Sequence, residues 1–163
     1  MAGMLRHRGP DEASHWASDD GRLAVGFQRL AVIDPGGSRQ PMPTPDGRGV
    51  LAFNGEVYNF AALRGQFSPA AWQFRTNGDT EVLLAMLERD GTDALAALEG
   101  MFAFAWYDIA EQRLVLARDR LGQKPLWYAA LDDRLLFASE AKALLAHPHL
   151  PRDIDRRGLL DYL

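Results

Sequence analysis

At 163 residues, 47% apolar and 25% charged, the chain has the make-up of one globular domain with a substantial core. A net charge of −4 offers no basic stripe for nucleic acid, and no apolar run forms a signal core or nears the roughly 18 to 20 residues that span a bilayer. The absence of cysteine excludes disulfides and thiolate metal sites, so a cytoplasmic domain touching neither membrane nor nucleic acid is expected.

Residues 23–27 and 50–53 read as short buried strands. Between them, 34–49 holds Pro35-Gly36-Gly37, Pro41, Pro43, Pro45 and Asp46-Gly47, the composition of a loop. The span 58–67 suits a short helix with Leu63 and Phe67 on one face. A longer helix is predicted over 79–89, with a stripe of Val82, Leu83, Met86 and Leu87 and a start capped by Gly78 or Asp79. In 101–107, Phe102, Phe104 and Trp106 alternate with Met101, Ala103, Ala105 and Tyr107. Large side chains on one face and mostly small ones on the other predict a strand covered on both sides. Further strands follow at 113–118, 126–130 and 134–138, the last two joined through Leu131-Asp132-Asp133. Residues 140–146 return to helix, ended by Pro148 and Pro151, and another helix starts near Asp155. Strands, helices and more strands argue for an α+β architecture with antiparallel sheets.

Eight segments carry a likeness to one family. They are His7-Arg8-Gly9-Pro10-Asp11, Arg29-Leu30-Ala31-Val32-Ile33-Asp34, Gln40-Pro41-Met42, Phe53-Asn54-Gly55-Glu56-Val57-Tyr58-Asn59, Asp79-Thr80-Glu81-Val82, Gly100-Met101-Phe102-Ala103-Phe104, the run 117–126 and Phe137-Ala138-Ser139-Glu140-Ala141-Lys142. In this order they resemble the class II glutamine amidotransferase (Ntn-type glutaminase) domain of glutamine-hydrolysing asparagine synthetases, over nearly the whole chain. The first and last blocks favour that branch over the phosphoribosyl-pyrophosphate and glucosamine-phosphate amidotransferases. The resemblance implies an Ntn-hydrolase-like αββα sandwich over 1–150, with 151–163 opening a linker to a synthetase domain outside this sequence. It implies L-glutamine as ligand and ammonia supplied for amide formation. ATP and magnesium are expected only in the synthetase domain. No cofactor is expected in this chain, and its four His residues lack metal-ligand spacing. A synthetase domain or subunit is the implied partner, and a homodimer stays open.

Glutamine offers an α-carboxylate, an α-ammonium and a side-chain amide, and the resemblance assigns a group to each. Arg29 would take the carboxylate through its guanidinium fork, although composition alone reads it as a surface Arg at a strand end. Val32 and Ile33 would add backbone groups and an apolar wall, or serve as core. Asn54 and Gly55 would form an oxyanion hole, a device worth about 3 to 4 kcal/mol. Asn-Gly is otherwise a tight turn, here set before a helix instead of a second strand. Glu56 and Asp79 would receive the ammonium, with Gly78 shaping the approach, whereas Asp79 by itself reads as a helix cap. The Arg118-Asp119-Arg120 and Lys124-Pro125 cluster reads as a solvated turn or a contact to a following domain.

The family's nucleophile is a cysteine directly after the initiator methionine, with its own α-amino group as base. Ala2 stands at that place, and an alanine methyl cannot attack a carbonyl. Only a few residues separate Met1 from His7, where the family inserts a strand and a loop, so the first strand of the fold is expected to be missing. Three readings stay open. One is a shortened glutaminase domain, silent by itself. Another is a degenerate glutamine-binding or scaffold module beside a separate synthetase subunit. The third is a natural start further upstream that keeps the cysteine. The acceptor of the ammonia also stays open, with β-lactam and lasso-peptide synthetases among the parents.

Overall fold

The computed structural model describes residues 1–34, 36–153 and 156–162, with Leu159 and Tyr162 as backbone alone. Strand β1 (Glu12–Ala17) pairs with β2 (Ala24–Arg29), and β7 (Trp127–Ala130) with β8 (Leu135–Ala138), each an antiparallel hairpin. Between them lies an antiparallel sheet in the order β3 (Met42–Pro43), β4 (Gly49–Val57), β5 (Gly100–Asp108) and β6 (Arg113–Arg118). Helices α1 (Phe60–Arg64) and α2 (Asp79–Asp90) cover one face of this sheet, and α3 (Ala141–Leu145) packs on the β7–β8 hairpin. A last helix, α4, runs Arg156–Tyr162, and its expected start at Asp155 lies outside the described residues, as does Pro35 of the expected turn. The layers are helix, four-stranded sheet, two separate hairpins and helix, an αββα sandwich. No described helix is long and apolar enough to cross a membrane.

The centre of the sandwich is the β4–β5 ladder, paired from Gly49↔Asp108 to Val57↔Gly100. On the helix side Leu51 faces Trp106 and Phe53 faces Phe104, and these join Val82, Leu83, Met86 and Leu87 of α2 in the core. Each such buried side chain contributes roughly 1.5–3 kcal/mol relative to exposure. On the other side Ala52 faces Ala105 and Asn54 faces Ala103. The large-and-small alternation of 101–107 therefore separates a filled layer from a roomy one.

Two local expectations change. The Asn54-Gly55 pair is no turn: β4 runs through it to Val57, and the chain bends only before α1. Glycine is needed there for close approach, because a Cβ on Gly55 would lie 2.1 Å from the Met101 carbonyl oxygen and 2.7 Å from Phe102 Cα. Asp79 does not cap α2 through its side chain. Gly78 holds the N-cap position, and the Asp79 carboxylate accepts the Val57 N–H at 2.9 Å, tying α2 to the end of β4.

Buried polar groups set the loops around this core. Glu81, fully buried in the first turn of α2, accepts the N–H groups of Arg75 at 3.0 Å and Thr76 at 2.7 Å, the Thr76 hydroxyl at 2.7 Å and the Trp72 indole at 3.3 Å. Burial pushes its carboxyl up, but these donors outweigh burial and hold it below the usual value. Gln40 supplies a side-chain amide in place of a neighbouring strand. Its Oε1 accepts the Phe53 N–H at 2.6 Å, and its Nε2 donates to the Phe53 carbonyl at 2.9 Å.

Ahead of β1 the described residues form a 3-10 helix, Ala2–Arg8, and no strand. The methyl of Ala2 lies over Gly26, where an added Cβ would be 2.5 Å away. Strands β2 and β8 are not paired with each other, and a groove of about 390 Å³ lies between them, floored by Ala52, Asn54, Ala103 and Ala105. Strand β1 was not legible in advance, since Glu-Ala-Ser-His-Trp-Ala has only weak β propensity and owes its strand to pairing with β2. Gly55→Ala should lower the unfolding free energy by about 2 to 3 kcal/mol through backbone overpacking, read from the urea midpoint at constant m. Gly3→Ala, with nothing within 4 Å, should leave that midpoint in place.

Candidate functional site

A cavity of about 240 Å³ opens where the end of β2, the loop after it, the second half of β4 and the start of α2 converge. Arg29, Val32, Ile33, Asn54, Gly55, Glu56 and Asp79 all line it, so segments far apart in sequence meet around one space. Gly78 does not line the wall. It sits behind Ser38, where a Cβ would fall 2.1 Å from the serine hydroxyl.

Arg29 is 6% exposed, which overturns the surface reading. Its guanidinium lies 3.5 Å from the Glu12 carboxylate and donates to the Asp34 carbonyl at 3.0 Å, so two elements aim the fork. Val32 is 62% exposed and so belongs to the rim of the cavity instead of the core, with Ile33 half-buried beside it. The Asn54 side-chain nitrogen is buried and has no partner among the described residues. Leaving such a donor unmet costs roughly 1–3 kcal/mol, a cost removed by any acceptor that enters. Asn54 also borders the groove between β2 and β8, placing it on the wall between the two spaces. Burial pushes the Asp79 carboxyl up, and Glu56 adds in the same direction, while the N–H groups of Val57, Asp79 and Thr80 pull it back. Arginine at one flank and two carboxylates at another suit a ligand that carries both a carboxylate and an ammonium.

Several residues of the site were not singled out from sequence. Asp34 joins its flanks: its carbonyl takes the Arg29 guanidinium, and its carboxylate accepts the Asn77 N–H at 2.9 Å just ahead of α2. Ser38 and Gln40 line the cavity as well. Asp34 and Gln40 lay inside the matching segments, but their roles depend on partners that only folding brings near, and Ser38 carried no local signal.

Two further clusters frame the cavity. Glu140 accepts His7 at 2.8 Å and Arg8 at 3.1 Å and pairs with Lys142 at 3.0 Å, docking the first motif onto the last. These partners, His7 foremost and then Lys142, hold its carboxyl down to about 2. Asp119 is buried and accepts the N–H groups of Phe102, Leu121, Gln123 and Lys124 at 2.9 to 3.2 Å. Burial pushes that carboxyl up, but the backbone donors prevail and bring it to about 2. The 118–125 cluster is thus a turn bonded around the buried Asp119 that sets Lys124 on the cavity wall, while Arg118 and Arg120 stay exposed as a solvated turn requires. Ala2 lines the apolar groove and not the cavity. Among the described residues no group of three or more His, Asp or Glu is arranged to hold a metal ion.

The fold is that of the Ntn-type amidotransferases. The glutamine phosphoribosylpyrophosphate (PRPP) amidotransferase of Bacillus subtilis, solved with ADP and GMP, matches it with a TM-score of 0.67 at 26% identity, over 87% of this chain and 38% of that one. Residues 1–163 match the model of the glutamine amidotransferase domain, and the chain belongs to that family. It is 42% identical to the glutamine-hydrolysing asparagine synthetase 3 of Bacillus subtilis (strain 168), across 98% of this chain and 26% of that protein. It is likewise 42% identical to the glutamine-hydrolysing asparagine synthetase B of Escherichia coli (strain K12), across 89% of this chain and 26% of that protein. The chain spans about a quarter of the length of these relatives.

Because the Glu140 carboxyl is lowered on folding from 4.5 to about 2, the stability it adds is complete above pH 4.5 and is lost as pH falls through 2. Glu140→Gln should therefore unfold at lower temperature than the parent at neutral pH. The gap between the two melting temperatures should close as the buffer is taken from pH 4.5 towards 2.

Proposed function

We propose that this domain binds L-glutamine in the 240 Å³ cavity. On this reading it is the glutaminase module of a glutamine-hydrolysing asparagine synthetase-like protein, supplying ammonia for amide formation. The observation that carries the reading is the convergence of Arg29, Asn54, Glu56 and Asp79, from three separate segments, on one space with an unpartnered amide donor in its wall. Arg29 takes the α-carboxylate, Glu56 and Asp79 take the α-ammonium, and Asn54 with Gly55 faces the side-chain amide. Val32 and Ile33 close the rim, and Gly78 keeps the start of α2 clear. ATP and magnesium belong to the synthetase part of such a protein.

Hydrolysis needs a nucleophile that bonds to the amide carbon, donors for the oxyanion that then develops, and departure of ammonia. Asn54 and Gly55 answer only the second need. The 163 residues contain no thiol, so attack by a cysteine, as the family uses, would need a group from outside this sequence. That fact also favours a second reading, in which the domain is a non-catalytic glutamine-binding or scaffold module partnering a separate synthetase subunit.

A polypeptide of these 163 residues should release no ammonia from millimolar glutamine beyond the no-protein control, and turnover retained through purification would count against the assignment. Glutamine should nonetheless bind. Arg29→Ala should weaken binding about ten- to a hundredfold, the loss of a charge-assisted pair. Asn54→Ala should weaken it with little change in melting temperature, since its amide nitrogen has no protein partner. Calorimetric affinities that equal the parent's in both variants would remove these residues from the site.

A further inference from the structure

We propose that Ser38 is a further ligand-contacting residue, donating its hydroxyl to the α-carboxylate held by Arg29. The inference rests on the glutamine reading of the cavity and deepens it. Ser38 is 4% exposed and lines the cavity, yet its hydroxyl has no hydrogen-bond partner among the described residues. A buried hydroxyl without a partner carries a desolvation cost and is retained where an incoming group repays it.

The surrounding geometry selects the carboxylate. The Ser38 N–H and the Arg29 guanidinium both donate to the same atom, the Asp34 carbonyl oxygen, at 3.3 and 3.0 Å. That shared acceptor sets the serine beside the guanidinium. On its other flank Ser38 backs onto Gly78, the residue directly before Asp79. The serine therefore sits between the cation and the carboxylate that would hold the two ends of an α-amino acid. The ammonium is a donor already faced by Asp79 and Glu56, whereas the carboxylate has lone pairs to spare for a hydroxyl. This placement also gives Gly78 its role. With φ −87° and ψ 168° its backbone suits any residue, so what demands glycine is the serine hydroxyl pressed against its α-carbon.

The test uses the 163-residue chain, its amide NMR spectrum titrated with L-glutamine and with L-glutaminamide, in which a neutral amide replaces the α-carboxylate. Ser38→Ala should bind glutamine about ten- to a hundredfold more weakly, and should lose much less affinity for glutaminamide. Its melting temperature should stay level or rise, because an unmet buried hydroxyl has been removed; a purely structural serine would lower it and spare affinity. Gly78→Ala should weaken glutamine binding in the parent and do so less in the Ser38→Ala background, where the displaced hydroxyl is gone. If the parent binds glutamine and Ser38→Ala binds it equally, the role of Ser38 is overturned while the glutamine site stands. If the parent binds no glutamine, the glutamine site itself falls and the role of Ser38 with it.

Discussion

Everything in this domain depends on the unequal filling of the two faces of the β4–β5 ladder. Phenylalanine, leucine and tryptophan on one face give α2 an apolar surface to cover, and this binds sheet and helix into a single core. Alanine and asparagine on the other face fill little of the room beneath the hairpins and leave space between the layers. The ladder tolerates this difference because Gly55 lets β4 approach β5 until no side chain fits between them. A protein interior is packed as densely as a molecular crystal, so room for a ligand exists only where the sequence places small residues opposite one another.

The polar network follows from that architecture. Each of Gln40, Asp79, Glu81 and Asp119 lies buried against backbone N–H groups that the sheet and helices cannot pair themselves. Satisfying them fixes the loops that carry Gln40 and Lys124 to the cavity. The groups left unsatisfied are therefore informative. Among the described residues Asn54, Ser38 and Trp106 keep buried polar atoms without partners, and the first two line the same cavity. The proposed glutamine site would supply partners for both, whereas at Glu81 and Asp119 the protein's own donors already offset burial.

The 3-10 helix at the start of the chain and the groove beside it belong to the same economy of space. Ala2 packs its methyl on Gly26, within the groove between β2 and β8, and Gly26, Phe27 and Asn54 border both that groove and the cavity. Ala2 thus lies in the groove, which shares Asn54 with the cavity, and not in the cavity wall itself.

The alternation of 101–107, the apolar stripe of 79–89 and the strands at 113–118 and 134–138 could be read from sequence because periodicity is a local property, written in neighbouring side chains. The family motifs added Arg29, Asn54 and Asp79, which fold to one cavity as a set. Other features had no local signature. The Asn-Gly pair promised a turn and became the middle of a strand, because closeness to β5 outweighs turn propensity. Asp79 promised a cap and instead bonds to β4. The 118–125 cluster looked solvated and is organised around a buried carboxylate. Glu140 and Gln40 were visible as motif letters, but their partners lie 133 and 13 residues away. Hydrogen-bond partners across such distances are selected by how layers pack, and a side chain's neighbours in space are not encoded in its neighbours in sequence.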